Sequence, residues 1–515
     1  MRLKFLANFA PATILLLLAA CAGTVAPPGP PHRIESHALA DPGTTRLGRV
    51  FEAEAAQHPG LSGFDLITSG RTAFEARYAF AHLAQRTIDA QYYLWAGDAV
   101  GRNMLEALLE AADRGVRVRL LLDDLNLEGE GLDLAVLNAH PNFEVRLFNP
   151  ITPHGYEALG FLTDFDRVNH RMHDKAFIVD NTVAIVGGRN MADAYFSANE
   201  SSNFRDLDLF AAGRVVRDIS REFDAFWNSP WAVSVGSVAA AQPNSAELHA
   251  AEAKLSAEID DDGGFPFKTQ LDEPYLEHVV ATVPHRLIWG QASVLYDEPD
   301  KPETSTPRVA DELHEKVHGT IEREVLLEIA YFIPSAHGTA QLCDLVAHGV
   351  RVRVLTNSLA STDEIAAYAG YMRARDALLR CGVDLHELRP DAAFVQRDWT
   401  WLRHRSEAEL HTKAVVFDDD RVMIGSFNLD PRSRRLNTEI AILVSSPALA
   451  AKVAHFIENG MSLANSFHLE LVDGDVVWMA EEHGREVRFS EAPGSDLWRR
   501  TKADFLSLLP IEEEL

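Results

Sequence analysis

Short apolar segments predict a pair of buried strands in each half of the chain. Residues 176–179 and 414–417 consist only of Ala, Val, Ile and Phe, and β-branched and aromatic residues of this kind favour strands. A second apolar segment follows each of them, at 183–186 and 422–425, and a turn containing Gly comes next. The two halves therefore share a predicted strand pair at corresponding positions.

A helix followed by a strand also occurs in both halves. Residues 104–114 carry Leu and Ala at helical spacing, and Gly115 ends that helix. Residues 339–348 with Gly349 repeat the pattern, and the segments 115–124 and 349–358 are alike at an offset of 349 − 115 = 234. Alternating helices and strands predict an α/β/α sandwich in each half, with mostly parallel sheets.

The offset between similar segments is nearly constant, which predicts two homologous domains related by a pseudo-two-fold axis. It is 411 − 173 = 238 at the two most informative histidines. We assign residues 51–235 to the first domain and 308–515 to the second. Residues 236–307, rich in Ala, Ser and acidic residues, are predicted to connect them. A site shared between the domains would leave neither half active alone.

The predicted strand pairs carry the same polar residues in the same order. Each has a His, a Lys two residues later, an Asp five residues after the Lys, and an Asn at the end of the following turn; these are His173, Lys175, Asp180 and Asn190, then His411, Lys413, Asp418 and Asn428. Residues i and i+2 of a strand point to the same face. Each His and its Lys should therefore face one site together.

Such a set of residues suits phosphodiester chemistry. One imidazole can attack phosphorus while the other protonates the leaving alcohol. Lysine and asparagine side chains stabilise charge on the phosphate oxygens, so we expect no cofactor and no metal. Ser426, which has Gly188 as its counterpart, is a candidate additional phosphate donor.

Each imidazole also needs an acid that fixes its tautomer. Asp206 is the candidate in the first half, with Asp208 as its rival, and Glu439 is the candidate in the second half. The ordered repetition of these residues is the signature of the phospholipase D superfamily, which the chain resembles. The resemblance implies that Asp180 and Asp418 support the strands without touching substrate.

Longer segments resemble bacterial cardiolipin synthases of the C type from about residue 50 to the end. They include residues 89–95, 114–124, 145–150, 186–190, 355–360 and 425–433. The resemblance implies phosphatidyl transfer from phosphatidylethanolamine, or a second phosphatidylglycerol, to phosphatidylglycerol, through a phosphohistidine. A phospholipase D that uses water as acceptor remains the alternative, since the same residues serve both reactions. A requirement for an activating partner protein is left open.

The N-terminus has the pattern of a bacterial lipoprotein signal. Arg2 and Lys4 precede a short apolar core that ends in Leu-Ala-Ala-Cys21, too short to span a membrane. The resemblance implies a signal peptide over residues 1–21, lipidation of Cys21 and a Pro-rich tether over residues 22–50. The protein should then lie in the cell envelope as a membrane-anchored lipoprotein, with the choice of inner or outer membrane open.

The net charge limits the expected substrate class, and the cysteine content limits the possible disulfides. The formal net charge of −28 argues against nucleic acid, which normally requires a basic surface. Phospholipid is therefore the expected substrate. Cys343 and Cys381 could form a disulfide or remain free thiols.

Overall fold

The computed structural model describes residues 34–126, 134–151, 164–238, 243–261, 273–398 and 406–509. The strands of the first half are β1 (Ser62–Ile67), β2 (Thr87–Leu94), β3 (Arg117–Asn126), β4 (Phe143–Phe148), β5 (Ala176–Val179), β6 (Val183–Gly187), β7 (Ser202–Arg205), β8 (Asp208–Gly213) and β9 (Ala232–Ser234). Those of the second half are β10 (Ile288–Tyr296), β11 (Glu324–Ile329), β12 (Arg351–Asn357), β13 (Asp384–Leu388), β14 (Glu407–Leu410), β15 (Lys413–Phe417), β16 (Arg421–Gly425), β17 (Ile440–Ser445), β18 (Ser466–Val472), β19 (Asp475–Glu482) and β20 (Arg485–Phe489).

Helices flank these strands throughout. Those up to the connection are Arg46–Ala55, Gly70–Leu83, Ala99–Asp113, Leu134–Leu137, Phe165–Val168, Arg214–Trp227, Val235–Val238, Ser245–Asp261 and Glu273–Thr282. Those that follow are Lys301–Thr304, Arg308–Val317, Ala336–Ala347, Ile365–Cys381, Ala393–Asp398, Pro431–Arg435, Pro447–Met461 and Leu497–Ser507. Short 3-10 helices cover Pro42–Thr44, Asp193–Phe196 and Pro284–Arg286. No helix of the described residues is both long and apolar enough to cross a bilayer.

The two halves have the same strand order, which confirms the internal duplication. In the first half the order is β9-β4-β3-β2-β5-β6-β8-β1. In the second half it is β18-β13-β12-β11-β15-β16-β17-β10. Strand β1 pairs with the start of β10, so that both halves share one large sheet.

The expectation of mostly parallel sheets is wrong, because the sheet is mixed. Parallel pairing is confined to β2-β3-β4, to β11-β12-β13 and to the separate pair β7-β14. The other pairs are antiparallel, and the strand that follows each His-Lys motif is joined to the next strand by a tight turn, β5 to β6 and β15 to β16. Short connections of this kind permit only antiparallel neighbours.

Strand β10 also moves the start of the second half. It lies within residues 236–307, which are predicted to be a connection, yet its residues 291–296 pair with β17 as β1 pairs with β8 in the first half. Helix Ser245–Asp261 packs on the first half through Leu248, Leu255 and Ile259, which join its hydrophobic core. The connecting segment is therefore largely built into the two halves.

Three hydrophobic clusters form the interior. One lies within the first half and one within the second. The third contains strand residues of both halves together with helices Arg214–Trp227 and Pro447–Met461. This shared core fixes the two halves against each other and so positions any site built between them.

The disulfide alternative for the two remaining cysteines is the one observed. Cys343 and Cys381 are bonded, with their Cα atoms 5.5 Å apart. The bond joins helix Ala336–Ala347 to helix Ile365–Cys381.

Candidate active site between the two halves

Backbone segments of one half hold the histidines of the other. The His173 N–H donates to the Thr438 carbonyl at 3.0 Å, and the His411 N–H donates to the Arg205 carbonyl at 2.9 Å. The pairing of β7 with β14 extends the second of these contacts. The backbone of each histidine is therefore hydrogen-bonded to a segment of the other half.

The acids cross in the same way. Nδ1 of His173 lies 2.9 Å from Oε2 of Glu439, and Nδ1 of His411 lies 2.9 Å from Oδ2 of Asp206. All four side chains are buried. The assignment of each acid to the histidine of its own half is therefore wrong, while the choice of Asp206 and Glu439 as imidazole partners agrees with the geometry. With Nδ1 engaged, Nε2 is the nitrogen left for chemistry.

Asp208, the rival to Asp206, has a different set of partners. Its carboxylate lies 2.9 Å from Arg77 Nη1 and 3.2 Å from Arg189 Nη1. These guanidinium groups lower the pKa of the Asp208 carboxyl although burial acts to raise it. Asp208 is a buried ion-pair residue beside the site.

The lysines face the site as the i, i+2 spacing predicts. Nζ of Lys175 donates to the His173 carbonyl at 2.6 Å, and Nζ of Lys413 donates to the His411 carbonyl at 2.7 Å. Tyr93 and Tyr331 lie beside them, with ring centroids 5.4 and 5.7 Å from the respective Nζ atoms. An ammonium group near a ring face is electrostatically favoured.

The asparagine side chains are held by the ends of neighbouring strands. Oδ1 of Asn190 accepts from the Leu94 N–H at 3.2 Å, and Oδ1 of Asn428 accepts from the Tyr331 N–H at 3.4 Å. Leu94 is the last residue of β2, and Tyr331 follows β11. This anchoring fixes the orientation of each amide at the histidine-bearing end of the sheet.

The motif aspartates lie in the turns at the opposite ends of the His-Lys strands. Both have positive φ, 51° for Asp180 and 53° for Asp418. The Asp180 carboxylate accepts from three successive backbone N–H groups that lead into β2, at 2.8 to 3.0 Å. Asp418 does the same for the residues that lead into β11, at 2.7 to 3.0 Å. They support the strands, as the family resemblance implies, and contact neither imidazole.

Ser426 contacts the acid that positions His173. Its hydroxyl donates to Oε2 of Glu439, the same oxygen that faces His173, and it accepts from the Ile440 N–H at 3.0 Å. Ser433 Oγ donates to the other Glu439 oxygen at 2.6 Å. The Ser426 hydroxyl therefore contacts the carboxylate that positions His173, and its role as a phosphate donor stays a prediction.

The counterpart of Ser426 is fixed as glycine by space. A Cβ atom at Gly188 would lie 2.4 Å from Oδ1 and 2.6 Å from Oδ2 of Asp206. Such distances are far shorter than van der Waals contact. The first half therefore fills with its carboxylate the space that the second half gives to a serine side chain.

Burial sets the proton affinities of the site. It lowers the pKa of both imidazoles well below the usual value, and the two lysines add to this effect. It also lowers the pKa of Lys175 to about 7 and that of Lys413 to about 8. The same burial raises the pKa of Asp206 and of Glu439 to about 7 each. Each His-acid pair can therefore gain or lose a proton close to neutral pH.

Several side chains at the site were not singled out from the sequence. Ser433 holds Glu439, and Thr438 Oγ1 donates to the carboxylate of Asp174, the residue between His173 and Lys175. Tyr195 stands edge-on to His411 with centroids 5.0 Å apart. Two features of the sequence could have indicated these residues. Ser433 lies six residues before Glu439, and the acidic residue Asp174 lies inside the His-Lys motif. Cys21 lies outside the described residues.

The chain is similar to known proteins. The family model described as cardiolipin synthase, phospholipase D-like domain, matches residues 79–227 and 320–460. Cardiolipin synthase C of Escherichia coli (strain K12) is 39% identical over 482 residues, which cover 91% of this chain and 99% of that protein. The major cardiolipin synthase of Bacillus subtilis (strain 168) is 23% identical over 407 residues, which cover 79% of this chain and 70% of that protein.

A solved structure supports the fold. Phosphatidylserine synthase from Haemophilus influenzae Rd KW20 matches with a TM-score of 0.54 at 13% identity, over 90% of this chain and all of that one (100%). The match covers both halves, so the paired arrangement recurs in that protein. Taken with the repeated motifs and the two crossed His-acid pairs, these similarities show that the chain belongs to the phospholipase D-like cardiolipin synthase family.

Proposed function

We propose that the protein is a phosphatidyltransferase that makes cardiolipin from phosphatidylglycerol, with phosphatidylethanolamine or a second phosphatidylglycerol as phosphatidyl donor. The observation that carries the proposal is the composite site, in which each imidazole is positioned by an acid of the other half. Two independently held imidazoles are what a double displacement at phosphorus needs. The relationship to cardiolipin synthase C supports cardiolipin as the product.

In the first step, Nε2 of His173 attacks phosphorus and the bond from phosphorus to the headgroup oxygen breaks. The His411–Asp206 pair gives its proton to that oxygen, and the headgroup alcohol leaves. The result is a phosphatidyl group on His173. Lys175, Lys413, Asn190 and Asn428 surround the position where charge develops on the phosphate oxygens, and such groups stabilise it electrostatically.

In the second step, the glycerol hydroxyl of phosphatidylglycerol attacks phosphorus. Nε2 of His411 accepts the hydroxyl proton, the bond from phosphorus to His173 breaks, and cardiolipin is released. Both pairs return to their starting protonation states. Ser426 and Ser433 contribute by holding the Glu439 carboxylate that orients His173.

Analysis of lipid products tests this function. The full-length protein in detergent is incubated with phosphatidylglycerol, with and without phosphatidylethanolamine, and the lipids are identified by mass spectrometry. We expect cardiolipin with the intact protein and none with His173→Ala or His411→Ala. Phosphatidic acid without cardiolipin would show that water is the acceptor and that the protein is a hydrolase.

The proposal includes a membrane location through Cys21. The support is the sequence Leu-Ala-Ala-Cys after a short apolar core, and covalent acyl chains anchor proteins to membranes. We expect the intact protein in the membrane fraction and a Cys21→Ser protein largely outside it. Equal membrane recovery of both proteins would contradict lipidation as the anchor.

A further inference from the structure

A cluster of metal-ligating residues lies in the second half, away from the catalytic residues. Asp384 and His386 are on β13, and His468 is on β18. One ligand atom from each lies within 4.8 Å of the others. Nε2 of His386 and Nε2 of His468 both face Oδ1 of Asp384, at 3.2 and 3.0 Å. Three potential ligands thus converge on one point.

The sheet holds these side chains on one face. His386 and His468 are directly opposite each other in the antiparallel pair of β13 and β18. Asp384 is two residues before His386 on the same strand, and such residues share a face. The two imidazole rings lie 4.8 Å apart. Strand pairing therefore brings the three groups together without any movement of a loop.

The internal duplication offers a comparison for this position. In the first half, β4 corresponds to β13, and Arg146 stands where His386 stands. There the Arg146 guanidinium lies 2.8 Å from Glu144, which stands where Asp384 stands. Arg146 is opposite Ser234, whereas His386 is opposite His468. A permanent cation in the first half is thus replaced in the second by two imidazoles that surround the corresponding carboxylate.

Neighbouring groups orient two of the three ligands. Nδ1 of His386 lies 3.3 Å from Ser466 Oγ, which leaves Nε2 directed at Asp384. Nε of Arg353 lies 3.6 Å from Oδ2 of Asp384, so that Oδ1 is the oxygen turned to the imidazoles. Partners on the non-ligating atom are a regular feature of protein metal sites.

We propose that Asp384, His386 and His468 bind one divalent transition-metal ion, with Zn²⁺ as the preferred ion. Imidazole and carboxylate ligands suit Zn²⁺, whose bonds to them measure about 2.0–2.2 Å. Ligand atoms around such an ion are about 3.3 Å apart in a tetrahedron, close to the two short separations here. Water supplies the fourth ligand. The ion links β13 to β18, on which the final strands β19 and β20 are built, and so stabilises the fold without entering phosphatidyl transfer.

Metal titration of the full-length protein tests the site. The protein is stripped of metal with a chelator, Zn²⁺ is added during calorimetry, and thermal unfolding is followed with and without the ion. We expect one equivalent to bind and the melting temperature to rise. His468→Gln should weaken binding at least ~10-fold and remove the shift, and Ser466→Ala should weaken binding by about 10-fold.

A second pair of imidazoles provides the matched control. His314 and His318 lie one turn apart on helix Arg308–Val317 and just after it, with centroids 4.5 Å apart. A His314→Gln/His318→Gln protein should bind Zn²⁺ as the wild type does. The proposal is overturned if the wild type shows no saturable binding, if His468→Gln and His386→Gln both bind normally, or if only the control pair matters.

Discussion

The two half-sites use different means to hold identical imidazoles. His173 is positioned by Glu439, whose two oxygens accept from Ser426 and Ser433. His411 is positioned by the shorter Asp206, which accepts from the Leu207 backbone N–H at 2.7 Å. Gly188 makes room for that carboxylate, where the other half has a serine.

The difference shows that a duplicated site need not stay symmetric. Each acid serves the histidine of the opposite half. The length of the acid side chain and the residues that hold it can therefore change in one half-site while the other half-site stays the same. This permits the two imidazoles to take different roles in a two-step transfer. Substitutions in one half-site should therefore have different effects from the matching substitutions in the other.

Loss of either histidine should abolish cardiolipin formation. His173→Ala and His411→Ala should each lower the transfer rate by about 10⁴-fold or more, because the two groups act as a unit. His249→Ala, on an exposed part of helix Ser245–Asp261, is the control. With phosphatidyl-p-nitrophenol, whose leaving group needs no proton, only His411→Ala should accumulate a covalent adduct in protein mass spectrometry. An adduct on the His173→Ala protein would reverse the assigned roles.

Neutral replacements of the acids test the crossed pairing. Glu439→Gln and Asp206→Asn should each slow cardiolipin formation by about 10³-fold, because the tautomer of the partner imidazole is no longer fixed. With phosphatidyl-p-nitrophenol, the burst of nitrophenol should be slowed by Glu439→Gln and little changed by Asp206→Asn. The opposite pattern would mean that each acid serves its own half.

Removal of the motif aspartates should affect stability. Asp180→Ala leaves three backbone N–H groups, one of them buried, without their acceptor and should cost about 3 kcal/mol of unfolding free energy in urea. Asp418→Ala should cost about 2 kcal/mol, because its carboxylate is nearer to solvent. Asn at either position should recover part of the loss. A large fall in activity with unchanged stability would contradict a supporting role.

The small residues beside the acids should respond unequally. Gly188→Ala forces a methyl group against the Asp206 carboxylate, and we expect a loss of about 100-fold in transfer rate, comparable to a misplaced catalytic group. Ser426→Ala removes one hydrogen bond from Glu439 and should cost about 10-fold. Steady-state assays of both proteins measure the difference. Equal losses would contradict the steric argument.

The pH profile should be a narrow bell centred near neutrality. Below the pKa of Glu439, about 7, the His173–Glu439 pair holds an extra proton and His173 cannot attack, so kcat/KM rises with pH. Above the pKa values of Asp206 and Lys175, both about 7, the leaving-group proton and a positive charge are lost, and each loss lowers kcat/KM by ~10-fold per pH unit. Lys175→Arg should move part of the alkaline limb to higher pH. A flat profile from pH 6 to 9 would contradict these protonation states.

Most residues of the candidate site were predicted from the sequence. The i, i+2 spacing predicted that each histidine and its lysine share a face of a buried strand, and the repeated turn predicted both asparagines. Constant offsets identified the duplication. The strand directions in the sheet were predicted wrongly. Alternation of helices and strands indicates the parallel strands, but it does not show that the strands after each motif run antiparallel to their neighbours.

Contacts between segments that are distant in the chain could not be predicted from the sequence. Glu439 is 266 residues from His173, and Asp206 is 205 residues from His411. Local spacing suggests the nearer acid in each half. The pairing of β7 with β14 instead brings Asp206 to His411, and the bridge between Met172 and Thr438 brings Glu439 to His173. The contact between Ser426 and Glu439 was missed for the same reason, because only the fold brings this hydroxyl to the carboxylate.

The sequence by itself determined which polar residues form the repeated motif and that the motif occurs twice, because repetition and strand periodicity are visible in the order of the residues. The tertiary structure alone decided which acid serves which histidine. The two similar halves share one core, and this packing places the acid of each half beside the histidine of the other. Burial there also moves the pKa values of the site toward neutrality, through desolvation that no local pattern of residues encodes.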